Sequence, residues 1–268
     1  MLCVFTTLST LRSSSLIANA PRDQDALTIF GFNHEFCMLF HASALVQMCI
    51  ASRIVGEGPP CEINTNGTQI YSIASADGAK VSDMFAAPLV FYKGQHVSQS
   101  VAATAFAGEA LGFGKAIPPG GTPKAIQYML DLRDFVDQIA GTPPWVTFDQ
   151  VVESGRLDKW MGNFERSIVG PFFYGKERTY VDYYFVSMFR WVRYKLATHD
   201  PPSDFPAYRL MMKYPKVKRQ LLVMGTILCV PGSESVTCQE HRAEVWTALP
   251  GTTISDGHLL GGDHQDRQ

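Results

Sequence analysis

The sequence has no Cys-x-x-Cys pair, no surplus of one charge and no long apolar run, and each absence closes a class of function. Its 23 basic and 25 acidic residues leave a net charge of -2, so bulk electrostatics recruits neither nucleic acid nor an anionic membrane surface. No uninterrupted stretch of about 18 apolar residues occurs, which argues against a membrane-spanning helix. Cys3, Cys37, Cys49, Cys61, Cys229 and Cys238 form no repeating framework. They read as free thiols of a reducing compartment, and a cytoplasmic location is expected. What is present is apolar material: 46% of the 268 residues are hydrophobic, enough for two packed domains of roughly 100 residues each.

Both ends differ from the middle. Residues 1–25 are rich in Ser and Thr, and Arg12 is the one charge between Met1 and Ala20. This stretch reads as a flexible leader or, alternatively, an organellar transit segment; it lacks the charged start of a secretory signal. Residues 231–268 scatter Gly, Ser, Asp and His without a strand or helix period and read as a disordered tail. Over 26–116 short apolar runs alternate with polar turns, and over 122–230 helical periodicity dominates. The Pro- and Gly-rich segment 117–123 links the two.

Within the first part, Ser43–Val55 predicts a helix stopped by Gly56 and Pro59-Pro60. Ala87–Tyr92 predicts a strand, Lys93-Gly94 a hairpin turn, Gln95–Val97 the returning strand, and Val101–Leu111 a helix capped by Ser98-Gln99-Ser100. That order is the second half of a thioredoxin-type domain. Further on, helices are predicted over Lys124–Ile139, Leu157–Ile168 and Tyr180–Leu196, the last dense in aromatics and central to its core. The fold class is α/β plus all-α: a thioredoxin-like N-terminal domain followed by an all-helical C-terminal domain.

Pro88 is the pivotal position. An X-Pro bond gives up only about 0.5–1 kcal/mol to become cis, and a bend there turns the backbone N–H and C=O of Ala87 outward toward a peptide-like ligand. Gln99-Ser100 then stand at a helix start, where unpaired N–H groups and the dipole favour a carboxylate. A γ-glutamyl tripeptide needs both features. The run Ala87-Pro88, Lys93-Gly94, Gln99-Ser100 resembles the glutathione transferases, as does Phe172-Phe173-Tyr174-Gly175 leading to Thr179-Tyr180-Val181-Asp182. In the latter, a threonine and an aspartate cap the helix reciprocally. Tyr214-Pro215-Lys216-Val217 is similar to the family's late Pro-x-Val segment.

The resemblance implies a cytosolic, dimeric transferase of the detoxification type that binds glutathione through Ala87, Pro88, Gln99 and Ser100. It implies that Asp134 reaches the γ-glutamyl amine across a homodimer interface. Glutathione is the cosubstrate and a hydrophobic electrophile the second substrate, with Tyr128, Trp160 and Tyr184 as candidates for its pocket. The family's tyrosine-type signature, a Leu-Thr-Tyr-Phe-like strand followed by Arg-Gly-x-x-Glu, is missing.

Two registers for the first strand stay open. In one, Phe36–Phe40 is the strand, Leu39 stands at the tyrosine position, and Ser43 donates its hydroxyl to the glutathione sulfur. In the other, Leu27–Phe30 is the strand and Cys37 opens a long helix as the nucleophile of a thiol transferase or reductase. Helix length favours the first. His34, Cys37 and His41 would share one helical face, but a fourth ligand is lacking and no metal is expected. The family's contacting Trp and Lys before the proline have no clean counterparts at Ser75, Ala79 or Lys80. A non-catalytic transferase-like module for protein interaction is therefore the third reading.

Overall fold

The computed structural model describes residues 25–30, 43–64, 88–139, 148–199 and 213–228. A four-stranded sheet opens the fold. Its strands are β1 (Leu27–Phe30), β2 (Cys61–Asn64), β3 (Leu89–Tyr92) and β4 (Gln95–Ser98), in the order β2-β1-β3-β4. β2 pairs parallel to β1, while β3 is antiparallel to both β1 and β4. A parallel β1–β2 pair needs a crossover, and α1 (Ser43–Val55) supplies it. The β3–β4 connection needs only a tight turn: Lys93 and Gly94 both have positive φ, 48 and 73. Two such residues make the turn whose twist matches the strands.

Leu27–Phe30, the strand of the second register, is β1, with pairing partners on both sides. Phe36–Phe40, Leu39 among them, lie outside the described residues. The helix-length criterion assumes that strand and helix adjoin directly. Here twelve residues separate Phe30 from Ser43. The helix of the first register and the strand of the second are both present.

The remaining elements are helices: α2 (Ser100–Ala110), α3 (Thr122–Ile139), α4 (Phe148–Glu153), α5 (Arg156–Ser167), α6 (Tyr180–His199) and α7 (Pro215–Leu228). α6 is the centre. Every residue from Tyr180 to Phe189 is buried, so this helix has no solvent face over that span. Phe185 and Phe189 pack tilted, with centroids 4.5 Å apart, and Phe135, Phe164 and Phe173 close around them. On its other side α6 meets α1 and α2, which bury Ala44, Leu45, Met48, Ala103 and Ala107. One continuous apolar core results.

The start of α6 is tied by Asp182. Its Oδ2 accepts from Thr179 N–H at 2.7 Å and Thr179 Oγ1 at 2.8 Å. Its Oδ1 accepts from Phe173 N–H at 2.9 Å and Gln220 Nε2 at 2.7 Å. The aspartate half of the predicted capping box is there; the threonine half is not, because Thr179 Oγ1 donates to Asp182 while the Asp182 N–H reaches the Thr179 carbonyl at 3.0 Å. Asp182 also anchors the 172–175 turn and α7.

Candidate functional site

Pro88 and Gln99 meet at one margin of the sheet. Phe30, at the end of β1, faces Leu89, and Leu89 faces Ser98 at the end of β4. Pro88, buried, thus enters the sheet beside the point where Gln99 and Ser100 leave it. Ala87 lies outside the described residues. Gly58, just past the end of α1, lies against Leu111 at the end of α2, 3.5 Å from the place of a Cβ. The two helices finish close together.

Gln99 is the most distorted residue of the site. It has φ 73 and ψ 133, a conformation normally left to glycine, and its side chain caps nothing. Its carbonyl accepts Ala103 N–H at 2.8 Å, which closes the first turn. The amides of Ser100, Val101 and Ala102 precede that bond and point out of the helix start, the positive end of its dipole. They border a groove of about 510 Å³ lined by Gln99, Ser100, Val101 and Ala102 on α2 and by Ile126, Leu130 and Arg133 on α3. Arg133 also pairs with Asp137 at 3.0 Å. An anion at the helix start would find amides on one side and a guanidinium in the wall.

Both serines are held from within the protein. Ser100 Oγ lies 3.2 Å from Tyr184 OH on α6. Burial pushes the Tyr184 hydroxyl up from its ordinary value, so it remains a neutral phenol. Ser43 is 9% exposed, and its Oγ accepts from Gln47 Nε2 at 2.9 Å. Tyr184, which meets Ser100, and Ser187, which meets Gln47 at 3.5 Å, are one turn apart on α6.

Other predicted residues fall elsewhere. Asp134 is exposed on α3 and lines no part of the groove, although its neighbour Arg133 does. Cys37, His34, His41, Ser75, Ala79 and Lys80 lie outside the described residues. Among the described residues no cluster could hold a metal, and no helix is long and apolar enough to cross a membrane. Of the aromatic candidates for an electrophile pocket, Tyr184 is core, while Tyr128 and Trp160 are partly buried against it. Tyr184 is fully buried, Trp160 stacks on Phe164 at 5.9 Å, and Tyr128 packs on Phe173 at 5.2 Å.

β1 reads Leu27-Thr28-Ile29-Phe30. Ile29 is fully buried and brings no hydroxyl. Gln47 and Tyr184, which hold the two serines, were not singled out for that purpose from the sequence. The i, i+4 spacing of Ser43 and Gln47 was the available signal.

The parallel β1–β2 pair, the antiparallel β3–β4 hairpin opened by Pro88 and the capped central helix together decide the architecture. The fold is glutathione-transferase-like. No protein-family model matches the sequence, and no curated protein matches it. Among solved structures, prostaglandin synthase D of Nilaparvata lugens is similar at 15% identity and a TM-score of 0.45, over 72% of this chain and 95% of that one. A glutathione S-transferase from Actinobacillus pleuropneumoniae is similar at 9% identity and a TM-score of 0.46, over 82% and 92%. A maleylacetoacetate isomerase from Anaeromyxobacter dehalogenans, with glutathione bound in its active site, is similar at 15% identity and a TM-score of 0.39, over 81% and 95%.

Proposed function

We propose that the chain is a glutathione transferase that conjugates glutathione to hydrophobic electrophiles. The observation that carries this reading is the distorted Gln99 at the start of α2, beside Pro88 in the sheet register. Strained backbone persists where surrounding structure enforces it, and it gathers at ligand clamps. The γ-glutamyl carboxylate would sit on the amides of Ser100 to Ala102, and the middle of the tripeptide along the Ala87-Pro88 edge. In a homodimer, Asp134 of the second copy would pair with the γ-glutamyl ammonium.

Ser43 stands at the start of α1, which has no acidic residue in its first turn. A hydroxyl and a helix N-terminus both favour a thiolate over a thiol. In the reaction the thiol proton leaves to solvent and a sulfur lone pair forms the S–C bond. On an activated aryl halide, halide then departs with the electrons of the broken bond.

Retention on immobilised glutathione, combined with conjugation of an aryl halide, tests the reading. Ser43→Ala should be retained like the wild type while kcat falls by roughly 100- to 1,000-fold, the loss expected for one donor to a developing or stabilised anion. Unchanged kcat in Ser43→Ala would remove serine from the chemistry. Activity that instead disappears in Cys37→Ser, with disulfide reduction in the wild type, would favour the thiol-transferase reading. The missing tyrosine-type signature favours the non-catalytic module as a second reading, and failure of retention would select it.

A further inference from the structure

We infer that Gln47 is a positioning residue that sets the direction of the Ser43 hydroxyl; the inference rests on the transferase reading above. Gln47 lies one turn into α1 and is 6% exposed. Its Nε2 donates to Ser43 Oγ at 2.9 Å. A serine hydroxyl has one proton and two lone pairs. The bond from Gln47 occupies a lone pair and leaves the proton for another partner. An oxygen that accepts one hydrogen bond is also polarised to donate a stronger one.

The far end of the carboxamide packs beside Ser187. Ser187 Oγ gives its one proton to the Tyr183 carbonyl at 2.9 Å and lies 3.5 Å from Gln47 Oε1. The direction of the bond is therefore carried by the shorter contact, Nε2 to Ser43 Oγ. A Met or Leu would fill the same space without the desolvation cost of a buried amide. What only the carboxamide supplies is the direction of the hydrogen bond. Ser187 and Tyr184 sit one turn apart on α6, so one helix of the helical domain reaches Ser100 directly and Gln47 beside Ser43.

The test uses the full chain and titrates the ultraviolet thiolate absorbance of bound glutathione against pH, alongside kcat and KM. Gln47→Met should keep KM for glutathione within about twofold and raise the titration midpoint, so that thiolate at neutral pH falls roughly tenfold. Gln47→Glu reverses the bond, since a carboxylate accepts the Ser43 proton, and should fall to the Ser43→Ala level. Ser187→Ala should shift the midpoint the same way by less. Should either Gln47 variant fail to give a cooperative melt, Ser187→Ala carries the test, because it exchanges one small side chain for another. An unmoved midpoint in folded, glutathione-retaining variants overturns the inference and leaves the transferase reading standing. A wild type that is not retained on glutathione overturns both, and Gln47 is then a core residue.

Discussion

Among the described residues, Lys93 and Gln99 carry a Cβ at positive φ, and they are not equivalent. Lys93, at φ 48, sits in a hairpin turn where the left-handed well is accessible to any residue at modest cost. Gln99 combines φ 73 with an extended ψ of 133, which costs a residue with a Cβ on the order of 1–3 kcal/mol. Gln99→Gly should therefore raise stability by about 1 kcal/mol in urea unfolding, after roughly 0.5–1 kcal/mol is lost to glycine's chain entropy. Gln99→Ala keeps the Cβ and should show no gain. Equal effects from the two would mean that φ at this position is not strained. At this scale the sequence showed where Gln99 and Ser100 stand, because a two-residue turn fixes the count from Pro88 onward. It could not show the backbone angle. The apolar runs 27–30 and 36–40 look alike as strands in the sequence, and pairing with β2 and β3 identifies the first as β1.

At the scale of elements, Asp182 joins three pieces of chain through four donors. Burial pushes its carboxyl up, to about 6, against hydrogen bonds from Phe173 and Thr179 that favour the anion. The sign follows from which state holds the proton. Below about pH 4 both the folded and the unfolded chain are protonated at this site. Between about 4 and 6 the folded chain keeps a proton that the unfolded chain releases, so rising pH costs stability across that window, up to about 3 kcal/mol. Above 6 the contribution is level. The stability of the wild type minus that of Asp182→Asn should accordingly shrink from pH 4 to pH 6, measured by denaturant unfolding. Growth of that difference would mean that the donors outweigh burial. The Thr179–Asp182 pair was readable because a capping box is local. The start of α7 was not read as a helix, although Pro215 is a common first helical residue. Its cap comes from another element: Glu165 on α5 accepts from Lys216 N–H at 2.9 Å and Val217 N–H at 3.2 Å. β2 is four residues long, too short for alternation to register.

At the scale of the whole molecule, the question is how the sheet layer and the helical part stay in register. α2 crosses α6 at Gly108, where a Cβ would stand 2.4 Å from Tyr180 Cβ. Both atoms are fixed to backbone, so no rotamer relieves the clash and the two helices must separate. Overpacking of this kind typically costs about 1–3 kcal/mol. The separation would also act at the other end of the crossing, because Tyr184, one turn along α6, holds Ser100 at the start of α2. Gly108→Ala should thus lower the melting temperature and weaken glutathione retention together, although residue 108 lies two turns from the helix start. Gly162→Ala is the control: its nearest neighbour is the flexible end of Arg166 at 3.4 Å, so stability and retention should both persist. If Gly108→Ala lost stability but bound glutathione with unchanged affinity once folded, the two helices would be packed together without governing the site. The serines would then be set by their own helices and not by α6.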